Sequence, residues 1–246
     1  MQSRFKVPAV LAAMLMMGAV QAAPVSGQGT WETTLKARDI NGNAVALDSV
    51  SAAFFYDSTL NVTWLANMNQ NGPMNWYEAT NWATALDTGG FTDWRLPTII
   101  DSGTPGCTAW TNSGGDCGYN VQTEVNGAYS ELAHLYYVTL GNLAYTDPNG
   151  NAGQPGWGLT NTAHFQDMQA NGYWSRNLYQ VSAWRFNISE GSQSTDSVGQ
   201  QGMSAVAVRS GDIAAPVPEP ATIALAAVAL LGITATRRRR PVAPTA

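Results

Sequence analysis

Two uncharged apolar runs bracket the chain, Val7 to Val20 and Ala221 to Thr236, and between them apolar and polar positions alternate on a much shorter scale. Phe54-Phe55-Tyr56-Asp57 and Leu60-Asn61-Val62-Thr63-Trp64 are rich in aromatic and β-branched residues and predict a hairpin turning at Asp57-Ser58-Thr59. Trp76, Ala79, Ala83 and Leu86 recur at helical spacing, with Asn75 and Glu78 placed as a capping box and Gly89-Gly90 as the stop. A second helix is predicted from Ser130 to Leu140, where Leu132, Leu135, Tyr136 and Leu140 form one apolar side and Gly141 ends it. His134 falls beside that stripe and reads as a packed or half-exposed side chain. Strands are predicted at Tyr173 to Ser175, Val181 to Ile188 and Met203 to Arg209, the last pairing back near the opening hairpin. The class is α+β, with two helices packed on an antiparallel sheet. Three long irregular stretches separate these elements, Ile99 to Gly127, Gly141 to Gly172 and Ser189 to Gly202, and loops of that length usually carry function.

The bracketing runs are targeting segments. Arg4 and Lys6 precede the first, and Val20-Gln21-Ala22 follows it with small residues where signal peptidase cleaves, so residues 1–22 read as a signal peptide. The second run has 16 residues and, as a helix, reaches roughly 24 Å, close to a hydrocarbon core of about 30 Å. A C-terminal transmembrane helix is expected, with Arg237, Arg238, Arg239 and Arg240 holding its end in the cytoplasm and the body outside. Before it stands Val217-Pro218-Glu219-Pro220, whose two prolines keep the segment extended. The order of Pro-Glu-Pro, apolar run and arginine cluster resembles the PEP-CTERM sorting signal of bacterial envelope proteins. That resemblance implies an exosortase as partner: an inner-membrane precursor with its body in the periplasm, whose tail is then removed for delivery to the cell surface or beyond. The expected divisions are 1–22 signal peptide, 23–53 N-terminal extension, 54–212 folded domain and 213–246 sorting tail.

Charge narrows the partners. The chain has 12 Lys and Arg and 17 Asp and Glu; six of the basic residues lie in the targeting segments and only Glu219 of the acidic ones, which leaves the exported body at −10. Such a surface repels polyanions, so nucleic acid is not expected as a partner. The two cysteines, Cys107 and Cys117, lie close together in a Gly- and Thr-rich stretch and are expected to form a disulfide in an oxidising compartment, worth about 3 kcal/mol by loop closure.

No Ser-His-Asp constellation, phosphate loop or His-Cys metal pattern can be assembled, and the reading is of a protein that is not an enzyme. The aromatics in loops are the candidate ligand-binding residues: Trp110, Tyr119, Tyr145 and Trp157 stand among Gly, Asn and Gln, a setting suited to the apolar face and rim hydroxyls of a sugar. An exopolysaccharide is the expected ligand, with a structural or adhesive role through protein contacts as the alternative. No cofactor is expected. Calcium is weighed because Asp147 and Asn149 offer oxygen donors, two of the six to eight that the ion takes.

The run Asp93-Trp94-Arg95-Leu96-Pro97-Thr98, read with Tyr56-Asp57, Asn75-Trp76, Glu131-Leu132, Tyr173-Trp174-Ser175, Ala183-Trp184 and Val208-Arg209, resembles the Lcl C-terminal domain family. The resemblance implies a single C-type-lectin-like domain with long loops, and Arg95-Leu96-Pro97-Thr98 is also similar to a segment of formylglycine-generating enzymes, which makes an enzyme of that kind a further alternative ranked below the two binding roles. Many relatives have a cysteine near the final Val-Arg, which this chain lacks. On the residues themselves the motif reads as architectural: Pro97 holds Leu96 extended, Trp94 and Leu96 share one side, and Arg95 points away and is expected to pair with Asp93.

Overall fold

The computed structural model describes residues 28–100, 130–146 and 151–214. Seven short strands in two antiparallel sheets and a few helices, the first the single turn α1 (Trp31–Thr34), make up these residues. The first sheet joins β1 (Leu35–Arg38), β2 (Phe54–Asp57), β3 (Val62–Leu65) and β7 (Val208–Ser210) in that order. The second joins β4 (Gly172–Tyr179), β5 (Ser182–Asn187) and β6 (Ser192–Ser197).

The predicted hairpin is β2–β3, in register from Phe54 opposite Leu65 to Asp57 opposite Val62. Its turn is made by Asp57, whose Oδ1 accepts the backbone N–H groups of Thr59 and Leu60 at 2.9 and 3.2 Å, while Asn61 takes the left-handed conformation at φ 53°. Alternation then sorts the first sheet. Ala37, Phe55, Trp64 and Val208 form one cross-strand row, all buried, and the neighbouring row is Lys36, Tyr56, Thr63 and Arg209.

The closing strand pairs beside the opening hairpin, Trp64 opposite Val208, although regular pairing starts at Val208 rather than Met203. The residues ahead of it stitch the two sheets together instead. Met203 O accepts Met74 N–H at 2.8 Å, Ser204 exchanges backbone bonds with Gly172 and Trp174 of β4, and Ala207 O accepts Leu65 N–H. Two strands also arise where none was predicted. β1 comes from the stretch read as an N-terminal extension and pairs with β2, and β6 lies inside the stretch Ser189 to Gly202 read as irregular. β6 is Ser-Gln-Ser-Thr-Asp-Ser, polar throughout, so hydrophobic periodicity carries no signal there; the long hairpin with β5 forms it.

Helix α2 (Trp76–Ala85) starts at Asn75 with the expected capping box, Asn75 Oδ1 accepting Glu78 N–H at 3.0 Å and Glu78 Oε2 accepting Asn75 N–H at 2.9 Å. Ala79 and Ala83 are its buried face, and the Trp76 indole N–H donates to Ser175 O at 2.8 Å, which pins the helix to β4. The second predicted helix is α-helical only over α3 (Glu131–His134) and continues as a π-helix over Leu135–Thr139, where Leu140 N–H donates to Leu135 O. Rather than lying on one sheet, this helical segment sits between both: Thr139 bonds Asp57 of β2, and the Tyr136 and Tyr137 rings pack on Phe186 of β5. A single apolar core runs through the whole, with Trp64, Trp174, Phe54, Phe55, Tyr173 and Phe186 completely enclosed.

No helix among the described residues is long and apolar enough to cross a membrane. The signal peptide and the expected C-terminal transmembrane helix lie outside the described residues, as do Cys107 and Cys117.

Candidate functional site

Of the four loop aromatics, Trp110 and Tyr119 lie outside the described residues, together with the calcium donors Asp147 and Asn149. Tyr145 and Trp157 come together. Their rings stand 4.8 Å apart between centroids at 79°, and they remain 39% and 44% exposed. Leu143, which the sequence reading passed over, joins them at 44% exposure.

This patch is held by buried polar groups. Asn142 is its hub: Oδ1 accepts Thr160 N–H, Thr160 Oγ1–H and Asn161 N–H at 2.8 to 3.0 Å, and its amide donates to Asn161 O at 2.8 Å. Leu143 pairs with Trp157 and Gly158, Gly158 N–H donating to Leu143 O, and the same carbonyl accepts the Tyr136 hydroxyl. Tyr145 N–H donates to Glu190 O at 2.8 Å, and Tyr145 O accepts Gly153 N–H at 2.8 Å and Gln154 N–H at 3.2 Å. The Gln154 side chain adds a bond to Ala144 O. A backbone fastened at so many points fixes the rings without burying them. Burial alternates from Asn142 to Thr146, so Leu143 and Tyr145 face out while Asn142, Ala144 and Thr146 face in; that period of two was the signal available in the sequence for Leu143.

Residues Asp93, Trp94, Arg95, Leu96, Pro97 and Thr98 fall elsewhere, and their contacts serve the frame. Trp94 and Leu96 are both buried, and the Trp94 ring stacks on Phe54 at 5.6 Å. Arg95 does not pair with Asp93, which is exposed at a left-handed φ of 65°. Its guanidinium instead grips Glu131 with two hydrogen bonds of 2.7 and 2.8 Å, and the Glu131 carboxylate also accepts Thr98 N–H at 2.7 Å. Asp93 stands two positions before Arg95, where an unbroken strand would put both on one side, but its left-handed φ breaks that alternation, and Glu131 in the first turn of α3 meets the guanidinium instead. The motif thus ties the Trp94–Thr98 segment to α3.

A second buried cluster joins β2 to the helix. Thr139 Oγ1 donates to Asp57 Oδ2 at 2.9 Å and lies 3.5 Å from His134 Nδ1, and all three residues are buried. Burial pushes the His134 pKa below its ordinary value, against the opposing charge of Asp57. Enclosed by its neighbours, the cluster is a polar bond between β2 and the helical segment. Among the described residues no group of three or more His, Cys, Asp and Glu could hold a metal ion.

A clasp joins β1 to the segment after β7. Arg38 of β1 donates to both oxygens of Asp212, at 3.0 and 2.6 Å, and Ile213 beyond it is buried. Burial opposes ionisation of Asp212, but the hydrogen bond and charge of Arg38 outweigh it and hold the carboxyl below the usual range. From Ala214 only Ala215, Pro216 and Val217 separate the body from Pro218.

Residues 216–240 match the PEP-CTERM protein-sorting motif. The match takes in Val217, Pro218, Glu219 and Pro220 and all four arginines. This is an exported protein, sorted by an exosortase from a membrane-anchored precursor to the cell surface. No curated protein matches the chain. The PEP-CTERM motif accounts for the tail; the clasp and the aromatic patch belong to the body that the tail delivers.

Proposed function

We propose that the body of this PEP-CTERM protein binds carbohydrate without catalysis, as a surface or matrix component that holds an exopolysaccharide. The observation that carries this reading is the Tyr145–Trp157 pair. Large aromatic rings are normally buried, yet these two stand nearly half exposed on a loop secured from below by Asn142. A rigid, exposed ring beside amide groups is suited to stack on the C–H face of a sugar while neighbours bond its hydroxyls. The resemblance to the Lcl C-terminal domain, and through it to C-type-lectin-like domains, is kept here as the proposed class of the body. Before processing, the body would stand in the periplasm, held by its tail.

A second reading has its own support. At the tip of the β4–β5 hairpin Leu178, Tyr179 and Val181 are exposed, Val181 at 85%, which favours a structural or adhesive protein acting through protein contacts. A glycan array probed with the protein released from its host's surface separates the two. Under the carbohydrate reading the wild type binds a defined set of glycans, while Trp157→Ala loses them with a melting temperature nearly unchanged. Absence of binding to any glycan, or unfolding of Trp157→Ala, sinks it in favour of the second reading.

A further inference from the structure

The angle between the two exposed rings restricts what they can hold. Coplanar aromatics in a row offer one continuous face, the arrangement needed to lie along the flat surface of a crystalline polysaccharide. Tyr145 and Trp157 are 79° apart, edge against face at 4.8 Å, so no single plane stacks on both. Together they form a corner whose two walls are both half exposed. A sugar ring laid on one wall meets the other at its rim, and the next sugar of an extended flat chain would collide with it. Gly153 and Gly156 border the corner in left-handed turns, at φ 75° and 79°, which a side chain at either position would strain.

Charge selects further. The backbone of Tyr145 is bonded to that of Glu190, whose carboxylate is fixed by Asn187 and Ser192, and the exported body carries −10 overall. A body of that net charge disfavours a glycan rich in uronate or sulfate groups.

We infer that the corner takes one sugar ring at a time from a soluble, uncharged polysaccharide, and neither a crystalline surface nor a polyanionic glycan. This rests on the carbohydrate reading above and names its ligand class. The test uses the protein released from the cell surface with three probes: soluble galactomannan, whose single-sugar branches stand clear of its extended backbone, in native affinity gels, microcrystalline cellulose in pull-downs, and alginate in the same gels at low and high salt. The expected result is retardation by galactomannan that is indifferent to salt, with nothing bound to cellulose and no retardation by alginate. Trp157→Ala should weaken the galactomannan interaction about tenfold, and Trp157→Phe, which keeps a smaller stacking face, should lose less. Binding to cellulose, or retardation by alginate that salt abolishes, overturns the inference while leaving carbohydrate binding standing. Retention on none of the three probes, with a glycan array equally blank, removes the carbohydrate reading itself.

Discussion

Arg95 and Glu131 show what a single buried ion pair does in a chain with so few cations. Six basic residues serve the exported body, and one of them is spent on a two-pronged grip that also orders the backbone of Thr98. With Arg95 and Glu131 side chains only 21% and 10% exposed, removing one partner leaves the other charge stranded. Glu131→Gln should therefore lower unfolding stability by about 2 to 4 kcal/mol in denaturant titrations, and Arg95→Met combined with Glu131→Leu should cost less than the sum of the single changes. Acid reveals two further residues. The folded His134 pKa is lowered, so as pH falls the unfolded chain takes up that proton first, near its ordinary value of about 6.5, and stability declines from there until the folded pKa is passed. The folded pKa of Asp212 is also lowered, so its contribution is present above the ordinary carboxylate range and lost only as pH drops through the folded value. Melting temperatures across pH 3 to 8 should thus fall in two windows, of which His134→Gln removes the upper and Arg38→Gln diminishes the lower, where Asp39, also lowered by its bonds to Asn43 and Asn41, still contributes. The sequence marked Arg95 as structural but named the wrong partner, because a neighbour in sequence was visible and a carboxylate 36 positions on was not.

At the scale of elements, legibility followed periodicity. The β2–β3 hairpin and helix α2 were readable because their apolar spacing and caps agree, and the Asn75–Glu78 box is found bonded in both directions. Where local pattern and tertiary demand part company, reading failed. The apolar stripe of Ser130 to Leu140 gave a helix but could not reveal its π-helical half, and the polar strand β6 has no apolar stripe at all. Of the candidate site, Tyr145 and Trp157 were visible as loop aromatics, whereas their meeting depends on Asn142, whose four bonds reach residues about twenty positions away. Core and platform tryptophans should separate cleanly. Trp94→Ala and Trp184→Ala remove rings that are 2% and 3% exposed and should cost about 3 to 5 kcal/mol by calorimetry or chemical denaturation, unlike the exposed Trp157.

For the whole molecule the tail and the body make separate demands. The motif at residues 216–240 directs processing, so mass spectrometry of the surface-exposed protein should find a C-terminus near Pro220, and Glu219→Ala should leave the full precursor in the membrane. Recovery of surface protein still ending at Ala246 would contradict that sequence of events. The C-terminal tail was the most legible part of all, because hydropathy and charge over a few residues define it, whereas the two-sheet architecture depends on pairings such as Trp64 with Val208 that no local window contains.

Until the tail is cut, the clasp between Arg38 and Asp212 has a mechanical meaning. Any tension between the membrane and the body enters through Ile213 and Asp212 before it reaches the hydrogen bonds between β3 and β7. Arg38 belongs to β1, at the opposite edge of the sheet from β7, so a tug that would otherwise unzip the last strand is handed across four strands at once.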